Sequence, residues 1–117
     1  MTFQETVLSF AETAATKRTL LIQNPVGFLV LAMMAGAYVG MGILLIFSVG
    51  QSVDPTIRPI VMGVSFGIAL ILVVYAGSEL FTGHSMYMTH GLLAKRTTLT
   101  DLILCWSGSW AGNLAGA

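Results

Sequence analysis

The stretch Gly77-Ser78-Glu79-Leu80-Phe81-Thr82-Gly83-His84 interrupts a long apolar run that extends from Ile60 to Ala94. As one continuous helix that run would measure about 52 Å, against a hydrocarbon core of roughly 30 Å. Ile60 to Ala76 is already nearly a span, yet Lys95 and Arg96 mark the far end, and basic residues gather on the cytoplasmic side of a membrane. A break in the helix resolves the conflict, because non-helical backbone at membrane depth absorbs excess length wherever protein or water satisfies its polar groups. The pattern therefore predicts a broken span over residues 57–94, with the break at 77–84 and a lower half-helix from Ser85 to Ala94. Gly77, Glu79 and Gly83 are the residues expected to shape the loop.

Composition sets the wider frame. The chain of 117 residues is 56% hydrophobic and 9% charged, with a mean hydropathy of +0.86. That leaves too little polar surface to coat a soluble globule, so the chain belongs in a bilayer in contact with lipid. Net charge is zero and the five basic residues are scattered or paired, which excludes the clustered cations of a nucleic-acid binder. The single cysteine, Cys105, forms no intrachain disulfide and belongs to no metal-ligand spacing; it reads as a small buried hydrophobe. Lys17 and Arg18 come too late, and the apolar run after them is too long, for a cleaved secretory signal.

Three further segments follow from periodicity. Residues 1–18 place Phe3, Val7, Phe10 and Ala14 at helical spacing with Glu5, Ser9, Glu12 and Thr16 on other faces, an amphipathic helix with a capping box between Thr2 and Glu5. Its polar face carries glutamates rather than a row of cations, so docking under its own protein is expected instead of binding to anionic lipid. Residues 25–49 form an uncharged first span of about 37 Å that starts at Pro25 and offers Gly36, Gly40 and Gly42 for close helix approach. Residues 98–117 form a third span with Gly108, Gly112 and Gly116 on one face, and it reads as truncated because it stops without a polar flank. Lys17/Arg18 and Lys95/Arg96 agree on one topology, with the amino terminus cytoplasmic.

The polar residues of the break suit an anion route. The lower half-helix would turn its amino terminus, with free N–H groups, toward the membrane interior. Thr82 adds a hydroxyl, while Leu80 and Phe81 can narrow the path. Glu79 would repel an anion if exposed, so it is expected to face protein, accepting from loop N–H groups. His84 and His90 read as neutral, hydrogen-bonded imidazoles and imply no metal. Trp106 is expected to pack with one N–H bond, and Asn113 to hydrogen-bond across a helix contact.

From the amphipathic amino-terminal helix through GSELFTG to the WAGNLAGA of the third helix, the sequence resembles the formate/nitrite transporter family, most closely its nitrite channel branch. The likeness covers the first half of that family's pattern. It implies an all-α membrane protein with an aquaporin-like fold, here one half repeat of three transmembrane helices whose second helix is broken by an Ω loop, after an amphipathic helix. By the same resemblance the full pattern has six spans in two inverted repeats and assembles as a homopentamer with one pore per protomer. Leu80, Phe81 and Thr82 correspond to the family's Leu-Phe-Thr triplet, in which the leucine narrows the inner side of the pore and the threonine faces the permeating species. Phe66 corresponds to an aromatic of the outer constriction. A second aromatic and a pore histidine come from the family's other half, so neither His84 nor His90 is that histidine.

The resulting expectation is a bacterial inner-membrane, multi-pass channel protomer that passes nitrite or a related small anion past Phe66, Leu80, Phe81 and Thr82. It is not an enzyme and uses no cofactor or metal. Passage as the bare anion or as the neutral acid are both open. The alternatives are a non-transporting anchor or assembly subunit and a pore for neutral solutes. An expensive break at 77–84 counts against the first, and the lack of Asn-Pro-Ala signatures against the second.

Overall fold

A computed structural model describes residues 2–117 as five α-helices: α1 (Phe3–Gln23), α2 (Pro25–Gln51), α3 (Arg58–Tyr75), α4 (Phe81–Leu93) and α5 (Leu99–Gly116). Each boundary has a local cause. At the start of α1 the Thr2 hydroxyl accepts from the Glu5 N–H and the Glu5 carboxylate accepts from the Thr2 N–H, so the capping box forms. The helix runs five residues beyond the expected end at Arg18, because TLLIQ contains no breaker before Asn24 and Pro25. Asn24 then caps α2 by accepting from the Gly27 N–H at 2.9 Å, with Pro25 at the position where its missing N–H costs nothing. A second capping box, Thr98 with Asp101, opens α5.

α2 and α3 are each long and apolar enough to cross a membrane. Both keep large apolar side chains at the surface, among them Leu44, Phe47, Val64 and Val74. α2 is the central element and packs against both α3 and α5. α1 lies across α4, with Ala11 and Ala14 buried. The expected docking of α1 on its own protein is thus what is observed.

Small residues set how closely the helices approach. A methyl added at Gly36 would collide with the backbone carbonyl of Asn113, and one at Gly116 with the carbonyl of Met33, so α2 and α5 touch backbone to backbone. Gly112 faces Ala32 in the same seam. Gly42 faces Phe66 and Ala69 of α3, while Gly91 of α4 faces Ala14 of α1. Gly63 on α3 has open space beside it. Gly36→Ala should therefore cost about 1–3 kcal/mol of stability by forcing the α2–α5 seam apart. Gly63→Ala should change it by no more than about 0.5 kcal/mol; thermal unfolding in detergent checks the pair.

Candidate functional site

Helical structure stops at Tyr75 and resumes at Phe81. α3 ends in a Schellman arrangement: the Gly77 N–H donates to the Val74 carbonyl at 3.1 Å and the Ser78 N–H to the Val73 carbonyl at 3.0 Å. Gly77 carries the required left-handed backbone, φ +61°, which a side chain would resist. The chain then crosses to α2, where the Glu79 N–H donates to the Leu31 carbonyl at 3.2 Å. Leu80, in extended conformation, leads into α4.

No side chain within the loop caps α4; the cap comes from α5. The Asn113 side-chain oxygen accepts from the Phe81 N–H at 2.9 Å. Its amide nitrogen donates to the Glu79 carbonyl and to the Ala32 carbonyl, each at 2.9 Å. One side chain thereby joins α2, the break and α5, with its acceptor and both its donors engaged. With Phe81 capped this way, α4 starts four residues before the expected Ser85, and Thr82, Gly83 and His84 are helical rather than loop.

Glu79 is almost completely buried, 2% exposed, and its carboxylate does not serve the loop N–H groups as the sequence led us to expect. One oxygen accepts from the Lys17 ammonium of α1 at 2.7 Å and the other from His84 Nε2 at 2.8 Å. Because Nε2 faces a carboxylate, it carries a proton. The His84 ring lies against Phe28, centroids 5.3 Å apart, and its carbonyl accepts from the Trp106 indole N–H at 3.2 Å. A parallel pair, Arg18 with Asp101 at 2.9 Å, ties α1 to the start of α5.

These elements surround a cleft of about 330 Å³. Gly77, Glu79, Leu80, Thr82 and Gly83 all line it, together with Lys17 and Thr13 from α1, Tyr87 from α4 and the apolar wall of Leu70, Val73 and Val74 from α3. The N–H groups of Thr82 and Gly83, in the first turn of α4, have no intrahelical acceptor. Two of the expected path residues sit elsewhere. Phe81 places its ring edge-on to Trp106, centroids 6.2 Å apart, and Phe66 lies over Gly42 on the α2–α3 seam, 38% exposed. His90 is separate from the cleft, bonded through Nδ1 to the Met86 carbonyl at 2.8 Å and set against Phe10. Cys105 is buried, and among the described residues no group of His, Cys, Asp and Glu is arranged to hold a metal.

Sequence reasoning missed Lys17 as the partner of Glu79, since it read that lysine only as a marker of topology. The usable signal was a buried carboxylate and a helix-end cation that both lacked a local partner. For Asn113 the signal was an amide within a glycine face, which indicated a cross-helix bond but not its target.

Asn113→Leu should leave the Phe81 N–H and the Glu79 carbonyl unpaired and cost about 2–4 kcal/mol, visible as faster amide exchange at Phe81 and Thr82 before global unfolding. Lys17→Met should cost about 1–3 kcal/mol by leaving the Glu79 charge half-paired. The double change Lys17→Met with Glu79→Gln should recover part of that loss in a thermal unfolding cycle.

The sequence profile of the formate/nitrite transporter family matches residues 4–117. The nitrite transporter NirC of Escherichia coli (strain K12) is 49% identical over 98% of this chain and 43% of its own length. A probable formate transporter of Methanothermobacter thermautotrophicus is 45% identical over 76% of this chain and 34% of its own length. A solved structure described as an FNT family ion channel superposes with a TM-score of 0.93 at 49% identity, covering 97% of this chain and 46% of that one. The chain thus spans less than half the length of these relatives. With residues 4–117 matched by the family profile and its backbone superposed on a solved channel of the same family, the chain belongs to the formate/nitrite transporter family.

Proposed function

We propose that this chain forms the three-span half of a channel protomer that passes nitrite or a closely related small monovalent anion across a bacterial inner membrane. In this reading α2, the α3–α4 pair and α5 are the three spans, residues 76–80 with their flanks are an Ω loop in the second span, and α1 lies at the cytoplasmic face. The protein transports rather than catalyses. By analogy with its family, protomers assemble as a homopentamer. The bacterial relative described as a nitrite transporter supports the choice of anion.

One observation carries the reading: Leu80 and the first-turn residues of α4 whose N–H groups lack an acceptor, Thr82 and Gly83, line a cleft whose one carboxylate among the described residues, Glu79, is neutralised. A permeating anion needs donors that stabilise charge without a full cation that would trap it. The Thr82 hydroxyl and the first-turn N–H groups are donors of that kind. Glu79 would repel the cargo, but the Lys17 ammonium at 2.7 Å cancels its charge. Leu80 supplies the apolar pinch on the inner side. Phe66, on the α2–α3 seam, is assigned to the outer constriction and Phe81 to support of the loop through Trp106.

Thr82→Val keeps the shape and removes the hydroxyl. In liposomes reconstituted with the protein, nitrite influx should fall about 2- to 10-fold, the equivalent of one lost hydrogen bond, with assembly unchanged. Glycerol should pass no faster than through empty liposomes. Glycerol flux without nitrite flux would replace this reading with that of a neutral-solute pore, and flux of neither with that of an anchor subunit.

A further inference from the structure

Arg58, Met62 and Phe66 recur at every fourth position of α3 and so share one helical stripe. The stripe faces α2: Met62 lies beside Gly50, where an added methyl would come within 2.7 Å of its sulfur, and Phe66 lies over Gly42. At the end of the stripe next to the α2–α3 turn, a cleft of about 250 Å³ opens between Phe47, Gly50, Gln51, Arg58 and Met62. Its lining is apolar except for the Gln51 amide and the Arg58 guanidinium, and it contains no carboxylate.

The guanidinium is underused. One terminal nitrogen donates to the Val53 carbonyl at 3.2 Å, while Nε is buried without a hydrogen-bond partner. Among the described residues Arg58 makes no ion pair, whereas Lys17 and Arg18 are both paired. The acidic group nearest in sequence, Asp54, is turned to the Thr56 N–H at 2.8 Å, and that backbone bond holds its carboxyl below the usual carboxylate range. A cation with spare donors is therefore left in a low-dielectric groove, where its attraction for an anion is stronger than in open water.

We propose that the Arg58 cleft is a weak capture site for a small monovalent oxyanion at the outer mouth, two helical turns before the ligand reaches Phe66. The inference rests on the transport reading above, in which the α2–α3 turn lies outside the membrane. The guanidinium fork fits two oxygens of an oxyanion, and a single charge with one amide beside it holds that ligand loosely enough to release it inward. Gln51 would contribute the amide. A lipid phosphate offers the same chemistry, so the test must separate the two sources.

Nitrite influx should be measured against outside nitrite concentration, at low and high ionic strength, for the wild type, Arg58→Gln and Arg58→Lys. For Arg58→Gln the half-saturating concentration should rise about 3-fold or more at low ionic strength with the maximal rate unchanged, and the gap should shrink in high salt. Arg58→Lys, which keeps the charge but loses the fork, should fall between wild type and Arg58→Gln and retain the salt dependence. Gln51→Glu, which puts a carboxylate in the same cleft, should shift the concentration dependence in the same direction as Arg58→Gln. Identical concentration curves for wild type, Arg58→Gln and Gln51→Glu would overturn the capture site while leaving transport standing. An Arg58→Gln effect present only in vesicles with anionic phospholipid, and lost in zwitterionic ones, would overturn it in favour of a lipid phosphate. Absence of nitrite flux in the wild type would overturn the transport reading itself, and this inference with it.

Discussion

The structure turns on one amide. Between Tyr75 and Phe81 the backbone leaves helical geometry, and any of its N–H or C=O groups that is buried without a partner costs about 1–3 kcal/mol. The Schellman bonds close the end of α3, and Asn113 closes the beginning of α4 while also holding the Glu79 carbonyl. Its third bond, to Ala32, fixes the α5 side chain on α2. A break that would otherwise open is thus pinned from two helices at once.

Reaching that position is possible only because the helix seam is thin. With Gly36 and Gly116 in direct contact with the backbone of the opposite helix and Gly112 against Ala32, α5 comes close enough for a short side chain to span from one axis to the other's carbonyl. The glycine seam and the loop are therefore a single device. A bulkier seam would leave Asn113 short of its acceptors, and a loop without Asn113 would leave the seam with no polar tie.

The buried charges are managed by α1. α1 carries Lys17 and Arg18 side by side, and they go to Glu79 in the break and Asp101 at the head of α5. A buried carboxylate is tolerable when an ammonium and an imidazole meet both its oxygens. The consequence is that α1 belongs to the site: it lines one wall of the cleft and neutralises the Glu79 charge within it. Arg58, at the opposite end of α3 from the break, has no carboxylate partner among the described residues, so the two ends of that helix present different electrostatics to an anion.

The sequence by itself determined the helical membrane class, because only uncharged runs such as Pro25–Val49 have the length and hydropathy of a span. It also indicated an interruption, since the run from Ile60 to Ala94 is too long for a bilayer and its polar residues are concentrated at GSELFTGH, although only the first half of that stretch is non-helical, and it marked the small-residue face of the last helix through the fourfold spacing of its glycines. Those are local or periodic properties, readable along the chain. Which group caps Phe81, which cation neutralises Glu79, and on which wall Phe66 and Phe81 lie were decided only by tertiary structure. The bond from Asn113 to Phe81 crosses 32 positions and that from Lys17 to Glu79 crosses 62, so no spacing rule along the sequence could select them. They follow from how closely α2, α5 and α1 approach, a distance set by glycine contacts that exist only once the helices have packed.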